Sequence, residues 1–190
     1  LSVDDPINKH LPDAPAAWDK ITIRHLLTHT SGIPNFTQFE DYRTYKLSPA
    51  TTAKALALYR DKPLEFEPGE KWNYSNSGYL LLGHLIEKIS GNTYEEFIKK
   101  HIFAPLGMNS SGVDSNSTII PQRASGYAPS RGGIVNADFI HMSVPHAAGA
   151  LYSTTEDLLR WNQGLFGGNV LKVQSLQKMS TVFKGNYAMG

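Results

Sequence analysis

The chain has 190 residues, enough for one ordinary domain with a sizeable core, and its 18 Lys and Arg against 17 Asp and Glu give a formal net charge of +1. That balance gives no electrostatic case for binding nucleic acid or an anionic membrane. Cysteine is absent, which excludes disulfides, cysteine-ligated metals and a cysteine nucleophile, and no apolar run approaches the roughly 20 residues of a membrane span.

The first fifteen residues are rich in Asp and Pro and predict an extended surface segment with a short turn. The chain opens Leu-Ser-Val-Asp-Asp, without an initiator Met or a positively charged leader. We therefore expect it to be the interior of a longer polypeptide.

A short helix is predicted near residues 22–30, with Thr22 as its N-cap and Ser31 in the turn that follows. His25 and His29 are four residues apart, so both can face one side of that helix. The sequence between them lacks the glutamate of a His-Glu-x-x-His zinc site, so buried or capping histidines are favoured over a metal site. Ser31 lacks the Gly-x-Ser-x-Gly surroundings of a nucleophile elbow and is interpreted as a turn serine.

Residues 35–47 mix aromatic and polar side chains without a clean period, which indicates a loop or an irregular helix. Ser48 and Pro49 then predict the start of a helix over residues 49–60, with the serine as cap and the proline in the first turn.

The most informative stretch runs from Phe66 to Gly91 and places a Tyr-Ser-Asn triplet between an extended segment and an amphipathic helix over residues 77–89. Asn76 or Ser77 is predicted as the N-cap, and Gly91 is placed to end the helix. The predicted buried side has roughly helical spacing and consists of Leu80, Leu81, Ile86 and Ile89. Side chains just before a helix start stand on a rigid platform, although Tyr, Ser and Asn are also ordinary turn residues there.

Two capping boxes predict the next helices. Thr93 and Glu96 begin a helix over residues 93–103, and Ser153 and Glu156 begin one over residues 154–166. The expected buried side of the second helix consists of Leu158, Leu159, Trp161, Leu165 and Phe166. A last helix is predicted over residues 173–180.

Residues 109–149, between these helices, are rich in Ser, Gly, Asn and Pro and predict a long loop. Short β-like runs occur only near residues 125–127 and 134–137. His141 and His146 lie in this loop without a third ligand at useful spacing, and they are interpreted as plain loop histidines.

Four blocks, residues 1–12, 26–34, 66–108 and 146–168, resemble the serine β-lactamase and penicillin-binding-protein family, which includes class C β-lactamases, DD-peptidases and related esterases. The most specific block reads Pro-Gly-x-x-Trp-x-Tyr-Ser-Asn-x-Gly-Tyr, and in it Tyr74 and Asn76 fill the family's Tyr-x-Asn motif. The resemblance implies a serine acyl-enzyme formed without a cofactor, a catalytic Tyr74 that assists proton transfer, and an Asn76 that binds the substrate amide or carbonyl. It also implies that residues 26–34 border the active-site cleft.

Two further parts of the family pattern are missing. Catalysis in the family needs a serine and a lysine one helical turn apart, and this pair lies upstream of the tyrosine. Lysines of the family motifs also supply positive charge beside the tyrosine. The only Ser-x-x-Lys here runs from Ser175 to Lys178, far downstream of Tyr74, and is interpreted as a chance match. The third motif, Lys or His followed by Thr or Ser and Gly, is absent as well.

We therefore expect residues 1–190 to form a single domain that is mainly α. It would be the helical subdomain of the β-lactamase/transpeptidase-like α+β fold, with a few short strands and long loops but without most of the antiparallel sheet. The missing sheet would leave an apolar face through which the chain could self-associate.

The function expected from this resemblance is that of a fragment of a serine acyl hydrolase acting on a β-lactam, a D-Ala peptide or an ester, inactive on its own. Two alternatives stay open: a catalytically inactive homologue that binds penicillin or peptidoglycan-like ligands, and a purely structural helical module. The coding sequence before Leu1 would separate the first alternative from an enzyme. The resemblance favours an extracytoplasmic bacterial location, periplasmic or secreted.

Overall fold

The computed structural model describes residues 1–189, so Gly190, the last residue of the expected domain, lies outside the described residues. Within that range the chain is mainly helical, and the prediction of a mainly α chain with a few short strands is confirmed. The α-helices are α1 (Ile23–Leu27), α2 (Tyr42–Tyr45), α3 (Thr52–Ala57), α4 (Asn76–Ser90), α5 (Tyr94–Ile98), α6 (Thr155–Phe166) and α7 (Val173–Ser180). Single 3-10 turns occur at Ile7–Lys9, Ala16–Trp18, Phe36–Gln38 and His146–Ala148, and a π-helical turn, Lys99–Phe103, continues α5.

Four short strands form two separate antiparallel pairs. They are β1 (Gly112–Val113), β2 (Tyr127–Ser130), β3 (Gly133–Asn136) and β4 (Leu151–Tyr152), with β1 paired to β4 and β2 paired to β3 as a hairpin. The hairpin lies close to both predicted β-like runs. It is largely exposed, so it does not contribute to the core.

The longest helix, α4, is the centre of the larger core. It packs against α1, α3, α5 and the 3-10 turn at residues 146–148. Gly83 permits the last of these contacts, since a Cβ at this position would lie 2.5 Å from the Cβ of Ala147. Gly91 ends the helix in the left-handed conformation with φ of 69°, as predicted.

The buried face of α4 differs in part from the prediction. Leu80 and Leu81 are buried as expected, but Leu85 takes the third position, and Ile89 is 47% exposed. Ile86 and Ile89 instead line an open apolar groove of about 450 Å³ between α4 and α5. The prediction for Ile89 was wrong because a helical stripe shows which face is apolar, not whether another element covers it.

Two helix starts also differ from the sequence-based predictions. The N-cap of α4 is Ser75, one residue before the predicted Asn76 or Ser77. The N-cap of α3 is Thr51, whose side chain accepts from the Lys54 N–H. Ser48 does not cap α3, and the Ala50 N–H between the two positions donates to Ser143 Oγ in the long loop at 2.8 Å.

Helix α1 starts as predicted and ends early. Thr22 caps it, and the predicted capping role of a histidine is confirmed, since His25 Nδ1 accepts from the Thr22 N–H at 3.2 Å. The helix stops at Leu27 instead of continuing to residue 30, because His29 has a left-handed backbone with φ of 55°. The predicted capping box of Thr93 with Glu96 is confirmed at the start of α5.

The start of α6 uses a different pair from the predicted one. Thr154 caps the helix and accepts from the Asp157 N–H, and Asp157 is 1% exposed. Its carboxylate accepts from the Ser110 N–H and the Ser111 hydroxyl, both at 2.8 Å, and from Arg160 at 2.7 Å. The prediction of a Ser153–Glu156 box was wrong because the carboxylate that anchors α6 to residues 110–111 is one position later.

Helix α6 was expected to bury five apolar side chains, but only Leu165 is buried. Leu158, Leu159 and Phe166 are each more than half exposed. These side chains and the groove along α4 leave apolar surface uncovered in the described part of the chain. No helix among the described residues has the length and apolar character needed to cross a membrane.

Candidate active site around Tyr74 and Asn76

The two predicted site residues lie where an extended segment meets the N-terminus of α4. Tyr74 is 47% exposed and Asn76 is half-buried, whereas Ser75 and Ser77 are buried. Ser75 has an extended backbone, which turns its side chain away from that of Tyr74, whereas Asn76 and Ser77 are the first two residues of α4. Both predicted residues thus flank the buried Ser75 and keep part of their surface exposed.

The two buried serines attach the junction to the loop that follows α1. Ser75 Oγ donates to the carbonyl of Ile33 at 3.0 Å. Ser77 Oγ donates to the carbonyl of Pro34 at 2.6 Å and accepts from the Phe36 N–H at 3.0 Å. Both hydroxyls are therefore committed to backbone groups in the core, and neither has the exposed position of a nucleophile.

Asn76 is held by a second asparagine that the sequence analysis did not single out. Asn35 Oδ1 accepts from the Asn76 N–H at 3.3 Å and from Asn76 Nδ2 at 3.4 Å, and Thr37 Oγ1 donates to the same oxygen at 3.0 Å. These contacts use the nitrogen atoms of Asn76. Its carboxamide oxygen takes part in none of them and can accept a hydrogen bond from an amide N–H.

Tyr74 stands against a cluster of aromatic rings centred on His29. The His29 ring centroid lies 4.3 Å from that of Tyr74, 4.9 Å from that of Tyr79 and 5.1 Å from that of Tyr187, and Trp72 lies at its edge. The Tyr79 hydroxyl donates to the Leu27 carbonyl at 3.1 Å, and burial raises the pKa of Tyr79. This phenol is a structural neighbour of the site that stays protonated.

His29 is neutral in this cluster. It is 2% exposed, and burial lowers its pKa to about 4. Its Nδ1 accepts from the Ser75 N–H at 3.1 Å, which requires that nitrogen to be unprotonated. The prediction of a buried histidine is confirmed. Its contact with Tyr74 was missed, although residues 26–34 were expected to border the cleft.

The other candidates from the sequence have structural roles. Ser31 is buried in a turn, where its Oγ accepts from the Ile33 N–H, as predicted. Ser175 is exposed on α7. His146 is not a plain loop histidine, because its Nε2 lies 3.3 Å from Glu87 Oε1 and its ring packs on Tyr94. Among residues 1–189, no cluster of three or more His, Asp or Glu side chains is placed to hold a metal ion.

The sequence matches the family model described as Beta-lactamase over residues 1–190. It is 33% identical to penicillin-binding protein 4* of Bacillus subtilis (strain 168) over 181 residues, which cover 87% of this chain and 40% of that protein.

Two solved structures have the same fold over nearly the whole chain. One is a D-stereospecific amidohydrolase from Streptomyces sp., with a TM-score of 0.86 and 26% identity, covering 100% of this chain and 62% of that one. The other is a penicillin-binding protein from Bacillus halodurans, with a TM-score of 0.81 and 32% identity, covering 95% of this chain and 57% of that one. The chain thus spans about half the length of the proteins it matches.

Proposed function

Because the chain belongs to the beta-lactamase family, we propose that residues 1–190 are the helical part of a serine acyl hydrolase and carry one side of its catalytic cleft. In this proposal Tyr74 assists proton transfer to and from the reacting serine and leaving group, and Asn76 binds the substrate amide or carbonyl. The serine, its lysine partner and most of the sheet belong to the rest of the protein.

One observation carries the proposal. Tyr74 and Asn76 lie on either side of Ser75, and Ser75 and Ser77 are both buried and hydrogen-bonded to the loop that follows α1. A rigid mounting of this kind holds catalytic groups to within the fraction of an ångström that proton transfer requires. The two side chains of the Tyr-x-Asn motif are a phenol, which can take part in proton transfer, and a carboxamide, which can bind an amide or carbonyl group.

Charge around Tyr74 supports the view that other segments complete the site. A phenolate is stabilised by nearby positive charge, and burial alone works against it. The cation closest in sequence is Lys71, which is exposed and lies 3.4 Å from Glu70. Lys71 is thus already paired, and the charge that activates Tyr74 comes from groups outside this segment.

The substrate class follows from the same chemistry. Asn76 offers a carboxamide to an amide or carbonyl group, and the structural relatives are named as a penicillin-binding protein and a D-stereospecific amidohydrolase. We infer an acyl substrate with a lactam, peptide or related amide carbonyl, with simple esters as surrogate substrates. The uncovered apolar surface along α4 and α6 would pack against the remaining part of the protein.

Substitution of Tyr74 in the full-length protein tests the proposal. Tyr74→Phe should lower turnover of a penicillin or a p-nitrophenyl ester by about 100-fold or more and leave thermal unfolding nearly unchanged. Tyr127→Phe provides the control, because Tyr127 is 65% exposed on β2. Retention of most of the activity by Tyr74→Phe would show that the proposed role is wrong.

The isolated chain gives a second test. It should neither hydrolyse these substrates nor form a stoichiometric acyl adduct detectable by intact mass. An adduct mapped to Ser75 or Ser175 would contradict the proposal, since the first is committed to the core and the second is an ordinary helix-surface serine.

A further inference from the structure

His29 occupies a backbone conformation that few residues adopt. Its φ is 55°, in the left-handed region that non-glycine residues rarely enter. The surrounding hydrogen bonds fix this conformation, since the His29 N–H donates to the Leu26 carbonyl at 3.3 Å and the Thr30 N–H donates to the His25 carbonyl at 2.9 Å. The loop therefore presents the carbonyl and the ring of His29 toward the segment that contains Tyr74.

His29 binds the chain on both sides of Tyr74. Its carbonyl accepts from the Asn73 N–H at 3.0 Å, and its Nδ1 accepts from the Ser75 N–H at 3.1 Å. Its ring lies against the Tyr74 ring at 4.3 Å with an interplanar angle of 37°. A single residue thus fixes the backbone before Tyr74, the backbone after it and one face of its side chain.

We propose that His29 is the positioning residue for Tyr74, holding the phenol ring in the orientation that proton transfer requires. This inference rests on the proposed function of Tyr74. His29 contributes no proton of its own, because Nδ1 is occupied as an acceptor and the neutral ring carries its proton on Nε2. Tyr79 and Tyr187 pack against the His29 ring and restrict its motion in turn.

A core histidine without this role would look similar in a stability experiment, so the test must separate the two. A double-mutant cycle in the full-length protein does this. His29→Asn is the suitable change, because asparagine tolerates positive φ and removes the ring. The assay is steady-state hydrolysis of a p-nitrophenyl ester by His29→Asn, by Tyr74→Phe and by the double variant. His84→Asn is the control, because it changes a half-buried histidine of α4 that lies outside the aromatic cluster.

If His29 acts through Tyr74, His29→Asn should lower kcat by about 100-fold, as expected for an ångström-scale displacement of a catalytic group, and change KM by less than about threefold. The same substitution in the Tyr74→Phe background should have little further effect, and His84→Asn should retain wild-type kcat. Equal losses in both backgrounds would show a purely structural role and overturn the proposal. An unchanged kcat in His29→Asn, together with a large loss in Tyr74→Phe, would also overturn it.

If Tyr74→Phe retains full activity, the proposed function of Tyr74 is wrong, whatever the result for His29→Asn. One measurement on the wild-type chain does not depend on the folding of any variant. With ¹⁵N labelling, NMR should detect a coupling across the hydrogen bond between the Ser75 amide nitrogen and His29 Nδ1. Absence of that coupling, with the Ser75 amide exchanging at the rate of an exposed residue, would refute the positioning contact.

Discussion

Ser77→Ala is the most direct test of the hydrogen bonds that attach the start of α4 to the loop at residues 34–36. Ser77 is fully buried and lies in the first turn of α4. Its hydroxyl is the only part of the side chain that alanine lacks. The substitution therefore removes two hydrogen bonds to the loop at residues 34–36 and creates almost no cavity.

The expected magnitude follows from those two bonds. Each contributes about 1 kcal/mol net, and a buried backbone group left without a partner costs about 1–3 kcal/mol. Alanine recovers up to about 0.5 kcal/mol through its higher helix propensity. The free energy of unfolding should fall by about 2–3 kcal/mol, or roughly 4–12 °C in Tm for a chain of this size.

Urea unfolding with a constant m-value and hydrogen exchange of the Phe36 amide provide the two measurements. The Phe36 amide should exchange faster in Ser77→Ala, since its acceptor is lost. Ser175→Ala, on the exposed side of α7, is the matched control and should change the unfolding free energy by less than about 0.5 kcal/mol. If the two variants are equally stable, the Ser77 hydroxyl does not hold the loop in the way described.

Three further predictions concern other buried groups. His29 has a pKa of about 4 in the folded protein, against an ordinary 6.5. Its contribution to the free energy of unfolding is therefore complete above about pH 6.5, and about 2–3 kcal/mol is lost as the pH falls to about 4. Urea unfolding across this range should show a steeper loss for wild type than for His29→Asn. Asp157→Ala should lower the unfolding free energy by about 3–4 kcal/mol in the same assay, because three donors lose a buried carboxylate, whereas Glu156→Ala, one residue earlier and exposed, should leave it nearly unchanged. Gly83→Ala should cost about 1–3 kcal/mol in thermal unfolding, since the new Cβ would meet Ala147 at 2.5 Å, and an unchanged Tm would contradict this packing.

The helices could be predicted from the sequence where local chemistry determines them. Thr22 and Thr93 cap their helices as expected, and Gly91 ends α4. Prediction failed where residues distant in sequence are in contact. Thr51 caps α3 in place of Ser48, and the Ala50 N–H just before it donates to Ser143, a contact that no local pattern contains.

The motif residues of the candidate site could be predicted from the sequence, but the residues that hold them in place could not. Tyr74 and Asn76 belong to a recognisable local pattern, and their catalytic and binding roles remain predictions. Asn35 contacts Asn76 from about forty residues away, and Tyr187 packs on His29 from the other end of the chain. Periodicity and capping rules carry no information at such separations. The exposed apolar side chains of α6 were mispredicted for a related reason, because an apolar pattern marks a face that packs and does not identify what packs on it.

The buried Ser75 beside the exposed Tyr74 has a consequence for sequence variation. Inserting or deleting one residue between Trp72 and Ser75 would reverse which side chains of this extended segment face outward, so the Tyr74 phenol would turn toward the core and Ser75 would turn away from it. The hydrogen bonds to the loop at residues 33–36 would lose their register at the same time. Among homologous chains, this junction should therefore accept substitutions at its exposed positions and exclude insertions and deletions. Alignment gaps should fall instead in the β2–β3 hairpin, because it is largely exposed and does not contribute to the core.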